Sequence, residues 1–171
     1  GPIARRAPDR GVELRECFGC PADRPLALMQ FGGFGGFEPL TDWPEQDQVH
    51  WVVRDLGGRA RGDASGLSDH GLDLLDLLGS FDLMLTKPGY GSYTEAACNG
   101  VRTLYVARDD WPEEPWLSRW LLENGNGVKI SRQQLTTGEL AEPLQELLAQ
   151  PAKPPVTPTG IAEVVDRVER L

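Results

Sequence analysis

Cysteine, histidine and methionine are scarce in this chain of 171 residues, with three, two and two copies respectively. Three cysteines are an odd number and too few for a disulfide framework, and no basic-then-apolar leader opens the sequence, so a reducing, cytoplasmic setting is expected. Cys17-Phe18-Gly19-Cys20 has the spacing of half a zinc knuckle. Cys98 is far off in sequence and neither His50 nor His70 has a companion at ligand spacing, so no metal is expected and the thiols read as packing or surface groups. Long apolar runs are missing too. The longest, such as 74–78 and 83–85, are a handful of residues against the roughly 20 that span a bilayer, which excludes a membrane helix. Basic residues are outnumbered, 17 against 26 acidic, for a formal charge of −9 that opposes nonspecific binding to nucleic acid or an anionic membrane.

What is present is the composition of a globular domain: 40% hydrophobic and 25% charged residues, with 13 aromatic side chains from five Trp, five Phe and three Tyr. The length suits one compact core. Residues 1–24 carry Pro2, Pro8 and Pro21 and five arginines, which reads as a connecting segment with one short helix over 9–17, followed by a domain over 25–171. From Pro25 onward, short apolar runs alternate with segments of helical period. Strands are expected at 26–31, 49–53, 82–86, 103–107 and 127–130, and helices at 72–78, 92–99, 113–124, 139–149 and 161–171. Trp116, Leu117, Trp120 and Leu121 form one stripe of the third helix, and Pro143 makes the first turn of the fourth irregular. The alternation predicts an α/β fold, a Rossmann-like, doubly wound parallel sheet. Ligands of that fold sit outside the carboxyl ends of the strands, which directs attention to 32–38, 54–62, 87–95 and 108–114.

After the first strand comes Gly32-Gly33-Phe34-Gly35-Gly36-Phe37, either a tight turn or a loop whose backbone amides approach a phosphate. It fits the dinucleotide fingerprint only in part: Gly33, Gly35 and then Glu38 miss the third glycine, although Asp55 suits the distant acid. The nucleotide-triphosphate loop does not occur. Lys87-Pro88-Gly89-Tyr90-Gly91-Ser92-Tyr93-Thr94-Glu95 reads as a strand end, a glycine turn and a helix opening at about Ser92. A helix start offers unpaired amides and a partial positive charge, so with Lys87 beside it a diphosphate is well received. Ser92-x-x-Glu95 is equally a capping box, while Glu95 could instead accept from a ribose diol. In Arg108-Asp109-Asp110-Trp111-Pro112-Glu113-Glu114, the acids either complement a helix dipole or bind sugar hydroxyls beside a Trp111 wall, and Arg108 pairs with them or with phosphate.

The run from Asp82 through Ala96, then Gly100-Val101, then Glu113-Glu114 resembles the donor-binding half of GT-B glycosyltransferases. The likeness is strongest to the glycosyltransferase-like domain of plant arabinokinases and its bacterial relatives, and extends over residues 25–150. It implies one half of a GT-B fold in which Gly89, Gly91 and Ser92 hold a nucleotide diphosphate, Glu95 the ribose, and Glu113 and Glu114 the transferred sugar. Lys87 stands where many members have histidine, and Arg102 where proline commonly follows Gly-Val.

The resemblance therefore implies a partner, a nucleotide diphosphate sugar, most simply a UDP-sugar, with Lys87, the helix start at Ser92 and the loop of Gly33, Gly35 and Gly36 stabilising the diphosphate. It implies no other cofactor. It also implies a missing N-terminal acceptor-binding domain. That domain usually carries the general base, so no catalytic residue is assigned in this chain and the half alone is expected to be inactive. A non-catalytic nucleotide-sugar module and an NAD-type domain are the alternatives.

Overall fold

The computed structural model describes residues 1–31, 39–108 and 111–170. Its centre is a six-stranded, all-parallel sheet of β1 (Leu26–Gln30), β2 (His50–Val53), β3 (Ala64–Gly66), β4 (Leu83–Thr86), β5 (Arg102–Val106) and β6 (Gly127–Ile130), in the order β3-β2-β1-β4-β5-β6. Register is set along the central pair by Ala27 opposite Leu83 and Met29 opposite Leu85.

Successive side chains of these strands point to opposite faces, and both faces are apolar. Ala27, Met29, Trp51, Leu83, Leu85, Leu104 and Val106 join one core with Leu135, Leu144 and Leu147 from α4 (Arg132–Thr137) and α5 (Ala141–Ala149). Leu26, Leu28, Val52 and Met84 join the other with Leu14 of α1 (Gly11–Phe18) and Ala96 of α2 (Tyr90–Asn99). A third cluster packs Tyr93 and Tyr105 against Leu117 and Leu121 of α3 (Glu114–Asn124). This is the expected doubly wound α/β arrangement: burial on both faces explains why the strands carry consecutive apolar residues.

Several local expectations are corrected. β3 has no branched or aromatic residue to announce it, and exists because Trp51, Val52 and Val53 offer Ala64, Ser65 and Gly66 a ladder. Residues 72–78 do not form an α-helix. Two single 3-10 turns, Leu74–Asp76 and Leu78–Ser80, bury Leu77 and Leu78 and bring Gly79 against the Ala7 carbonyl too closely for any side chain. On α3 the apolar stripe is narrower than four residues: Leu117 and Leu121 are buried, whereas Trp116 faces solvent under the Arg119 guanidinium. Pro143 falls in the first turn of α5, where its missing amide hydrogen costs no intrahelical bond.

Residues before β1 run against the domain rather than away from it. Leu14 is fully buried, and Arg15 joins Asp82 at 2.6 Å while that carboxylate also accepts from the Leu26 amide. At the other end, α6 (Gly160–Glu169) touches residues 1–3, with the Gly160 amide donating to the Pro2 carbonyl.

The 39–46 segment is gathered by an ion pair absent from any sequence motif. Arg61 donates twice to Asp63, each at 2.8 Å, and again to the carbonyls of Leu40, Trp43 and Pro44. Trp43 then lies on Gly138, which ends α4 at φ +74°, a conformation side chains avoid. A Cβ there would come within 2.6 Å of the Trp43 ring. Gly138→Ala is therefore expected to lose about 2 kcal/mol or more in a urea denaturation series, from backbone strain and overpacking together.

Candidate functional site

Strand order reverses between β1 and β4, the position at which doubly wound sheets take ligands outside the carboxyl ends of their strands. On the β1 side, the glycine loop with Gly33, Gly35 and Gly36 lies outside the described residues. The residues following β4 and β5 form the described part of this end of the sheet.

Gly89 is the N-cap of α2, in extended conformation, and its carbonyl receives the first helical bond from the Tyr93 amide. The helix thus begins at Tyr90, two residues earlier than expected, because Tyr93 is buried against Tyr105 and fixes the first turn. Ser92 and Glu95 consequently lie inside the helix, which has no side-chain cap, and the capping-box alternative is ruled out. The sequence's capping box forms instead at Ser131 and Gln134.

The amides of Tyr90, Gly91 and Ser92 fall in the first turn, where an α-helix supplies no internal acceptor. Among the described residues nothing demands either neighbouring glycine. Both lack positive φ; a Cβ at Gly91 would meet nothing within 4 Å, and one at Gly89 only the Ser92 Oγ at 3.9 Å. Among the described residues, their missing side chains leave open space over the amides.

Two cations lie at the same end of the sheet. Lys87 follows β4 directly and is half-buried; burial, and then the Arg108 guanidinium, push its pKa below the ordinary lysine value. Arg108 follows β5, 5.3 Å from the centre of the Trp111 ring. Lys87, Gly89, Gly91, Ser92 and Arg108 thus share one end of the sheet.

Glu113 and Glu114 open α3 at the same end. The Glu113 carboxylate accepts from the Tyr90 hydroxyl at 2.8 Å, and Glu114 from Ser118 at 2.6 Å. Each is held through one oxygen, Oε2 of Glu113 and Oε1 of Glu114, leaving lone pairs for further donors. Glu95 is one turn further into α2 and half-buried. Burial raises its pKa above the ordinary carboxylate value, partly opposed by Arg5. Reading the sequence missed Tyr90 and Ser118 as partners of the acids; an aromatic residue between two glycines at a helix start was the signal for the first.

Elsewhere, Cys17 and Cys20 have different surroundings. The exposed Cys17 sulfur lies 3.2 Å from His70 Nδ1, whereas Cys20 is buried and donates to the Pro21 carbonyl. Among the described residues no group of three or more His, Cys, Asp or Glu could hold a metal ion, and no helix is long and apolar enough to cross a membrane.

No protein-family model matches the chain. It is 26% identical over 160 residues to an uncharacterized glycosyltransferase of Methanopyrus kandleri, covering 86% of this chain and 46% of that protein. It is 34% identical over 146 residues to an L-arabinokinase of Arabidopsis thaliana, covering 80% of this chain and 13% of the plant protein. Among solved structures, the glycosyltransferase VinC in complex with dTDP superposes on all of this chain with a TM-score of 0.56 at 19% identity, using 46% of its own length. The chain thus spans less than half the length of the relatives it matches.

Proposed function

We propose that this chain, which has the fold of one half of a GT-B glycosyltransferase, is the half that holds a nucleotide diphosphate sugar. The observation carrying the proposal is the pair of glycines, Gly89 and Gly91, that neither backbone conformation nor packing among the described residues requires, above the open amides of α2 and at the same end of the sheet as Lys87 and Arg108. Such a place suits a diphosphate, with the helix dipole and the cations opposing its charge despite the chain's net −9. VinC, similar in fold, is described with bound dTDP, which supports a nucleoside diphosphate as the ligand class.

In this reading Lys87, Gly89, Gly91, Ser92 and Arg108 hold the diphosphate, joined by the loop of Gly33, Gly35 and Gly36. Glu95 accepts from the ribose, and Glu113 and Glu114 receive hydroxyls of the sugar. The sugar nucleotide is a UDP-sugar. As the diphosphate leaves, the amides and cations stabilise the charge developing on it. The general base belongs to a second, acceptor-binding half, to which residues 1–24 connect the domain of 25–171. That half covers the outer face of α6, where Ile161, Val164, Val165 and Val168 lie at helical spacing, all exposed, alongside Ile3. The matched relatives have the length to supply it, since this chain covers 46% of one and 13% of the other. The identity to the L-arabinokinase favours a second reading, a nucleotide-sugar module that transfers nothing.

A thermal-shift screen of UDP, dTDP, GDP, their sugar derivatives and NAD tests the ligand. At 100 times its dissociation constant a ligand adds about 2.7 kcal/mol, or roughly 5–10 °C for a domain of this size. A nucleoside diphosphate is expected to produce that shift, and Glu95→Gln to remove most of it while leaving the unliganded melt within about 1 °C. A shift by NAD alone, or by none of these, defeats the proposal. Turnover by a protein containing both halves separates transferase from module.

A further inference from the structure

Tyr90 is a large side chain left 59% exposed, so burial does not explain its place. Both of its ends are nevertheless engaged. The ring stands edge-on to Trp111, with centroids 6.1 Å apart and planes at 81°, and Trp111 in turn underlies Arg108. The hydroxyl donates to Glu113 Oε2 across 23 residues of sequence, linking the first residue of α2 to the N-cap of α3. An exposed glutamate otherwise samples many rotamers, and fixing one before a ligand arrives removes that entropic loss from binding.

We propose that Tyr90 is a positioning residue for the donor sugar: by occupying one oxygen of Glu113 and bracing against Trp111, it presents the other oxygen to a sugar hydroxyl. This rests on the nucleotide-sugar reading above. The phenol hydrogen is donated only to the carboxylate, so the second oxygen stays an acceptor and selects a hydroxyl donor. The Tyr90 side chain acts through Glu113 and has no task toward the diphosphate, whose proposed partners are the backbone amides, Lys87 and Arg108.

The test is titration calorimetry of the chain with three pairs of probes: UDP and UDP-glucose, dTDP and dTDP-glucose, and GDP and GDP-mannose. Wild type, Tyr90→Phe, Glu113→Gln and the double variant are compared. For the pair that binds, wild type is expected to hold the sugar nucleotide more tightly than the bare diphosphate. Tyr90→Phe should weaken the sugar nucleotide about 5- to 20-fold and leave the diphosphate unchanged, and the double variant should be no weaker than Glu113→Gln. Undiminished sugar-nucleotide affinity in Tyr90→Phe, equal losses for both ligands, additive losses in the double variant, or a wild type indifferent to the sugar would each overturn the positioning role while leaving diphosphate binding intact. No binding of any bare diphosphate by wild type would instead defeat the nucleotide-sugar reading, and this inference with it.

Discussion

Asp63→Ala is expected to lose about 3–5 kcal/mol of folding free energy, lowering the melting temperature by roughly 10 °C. The carboxylate is 2% exposed and accepts two bonds from Arg61 and a third from the Gln46 amide. Removing it strands a guanidinium that is only 13% exposed, together with the loop carbonyls it gathers. Chemical denaturation of the single variants and of Arg61→Met/Asp63→Leu measures the effect, and the double variant should recover part of the loss because no unpaired charge stays buried.

The same pair gives the domain an acid limit. Burial alone would raise the Asp63 pKa, but the Arg61 and Gln46 hydrogen bonds outweigh it and hold the group below its ordinary 3.8. A depressed folded pKa stabilises above the unfolded value and is lost as pH falls through the folded one, so this contribution disappears below pH about 4. His50 acts in the same direction at higher pH. Burial, followed by Arg24, lowers its pKa below 6.5, and its loss of stability begins as pH falls past that value. A stability profile against pH should therefore decline in two stages, the upper one absent from His50→Gln.

Gly91→Ala is the second large effect, and its two consequences have opposite signs. The position lies in a helix without positive φ or a neighbour to strike, so alanine should stabilise the free chain by about 0.5–1 kcal/mol. The added methyl occupies the space proposed for the diphosphate and should weaken nucleotide binding roughly tenfold or more. Calorimetry and thermal melting on the same sample measure both. A more stable protein that binds nucleotide as before would mean that the open space serves no ligand.

The sheet was legible in the sequence because strands buried on both faces leave short apolar runs, as at 82–86 and 103–107. In the sequence the candidate site is marked by the glycines between β4 and α2 and by Lys87 beside them, and the structure brings these to one end of the sheet with Arg108. The Arg61–Asp63 clasp was not. In sequence it is two charges at i and i+2, while Leu40, Trp43, Pro44 and Gln46 are some 20 residues away and meet it only after folding. The start of α2 was misplaced because Ser92-x-x-Glu95 satisfies a local rule that the burial of Tyr93 overrides. The Tyr90–Glu113 bond likewise joins two helix starts that only the β4–β5 pairing makes neighbours.

Placing β1 between β2 and β4 carries a cost during synthesis. When the first three strands have left the ribosome, one edge of β1 still has its amides and carbonyls bare, and the strand that covers them has yet to be made. The nascent chain must shield that edge until Leu83–Thr86 emerges, making this interval the one in which assembly is most open to mispairing and to chaperones.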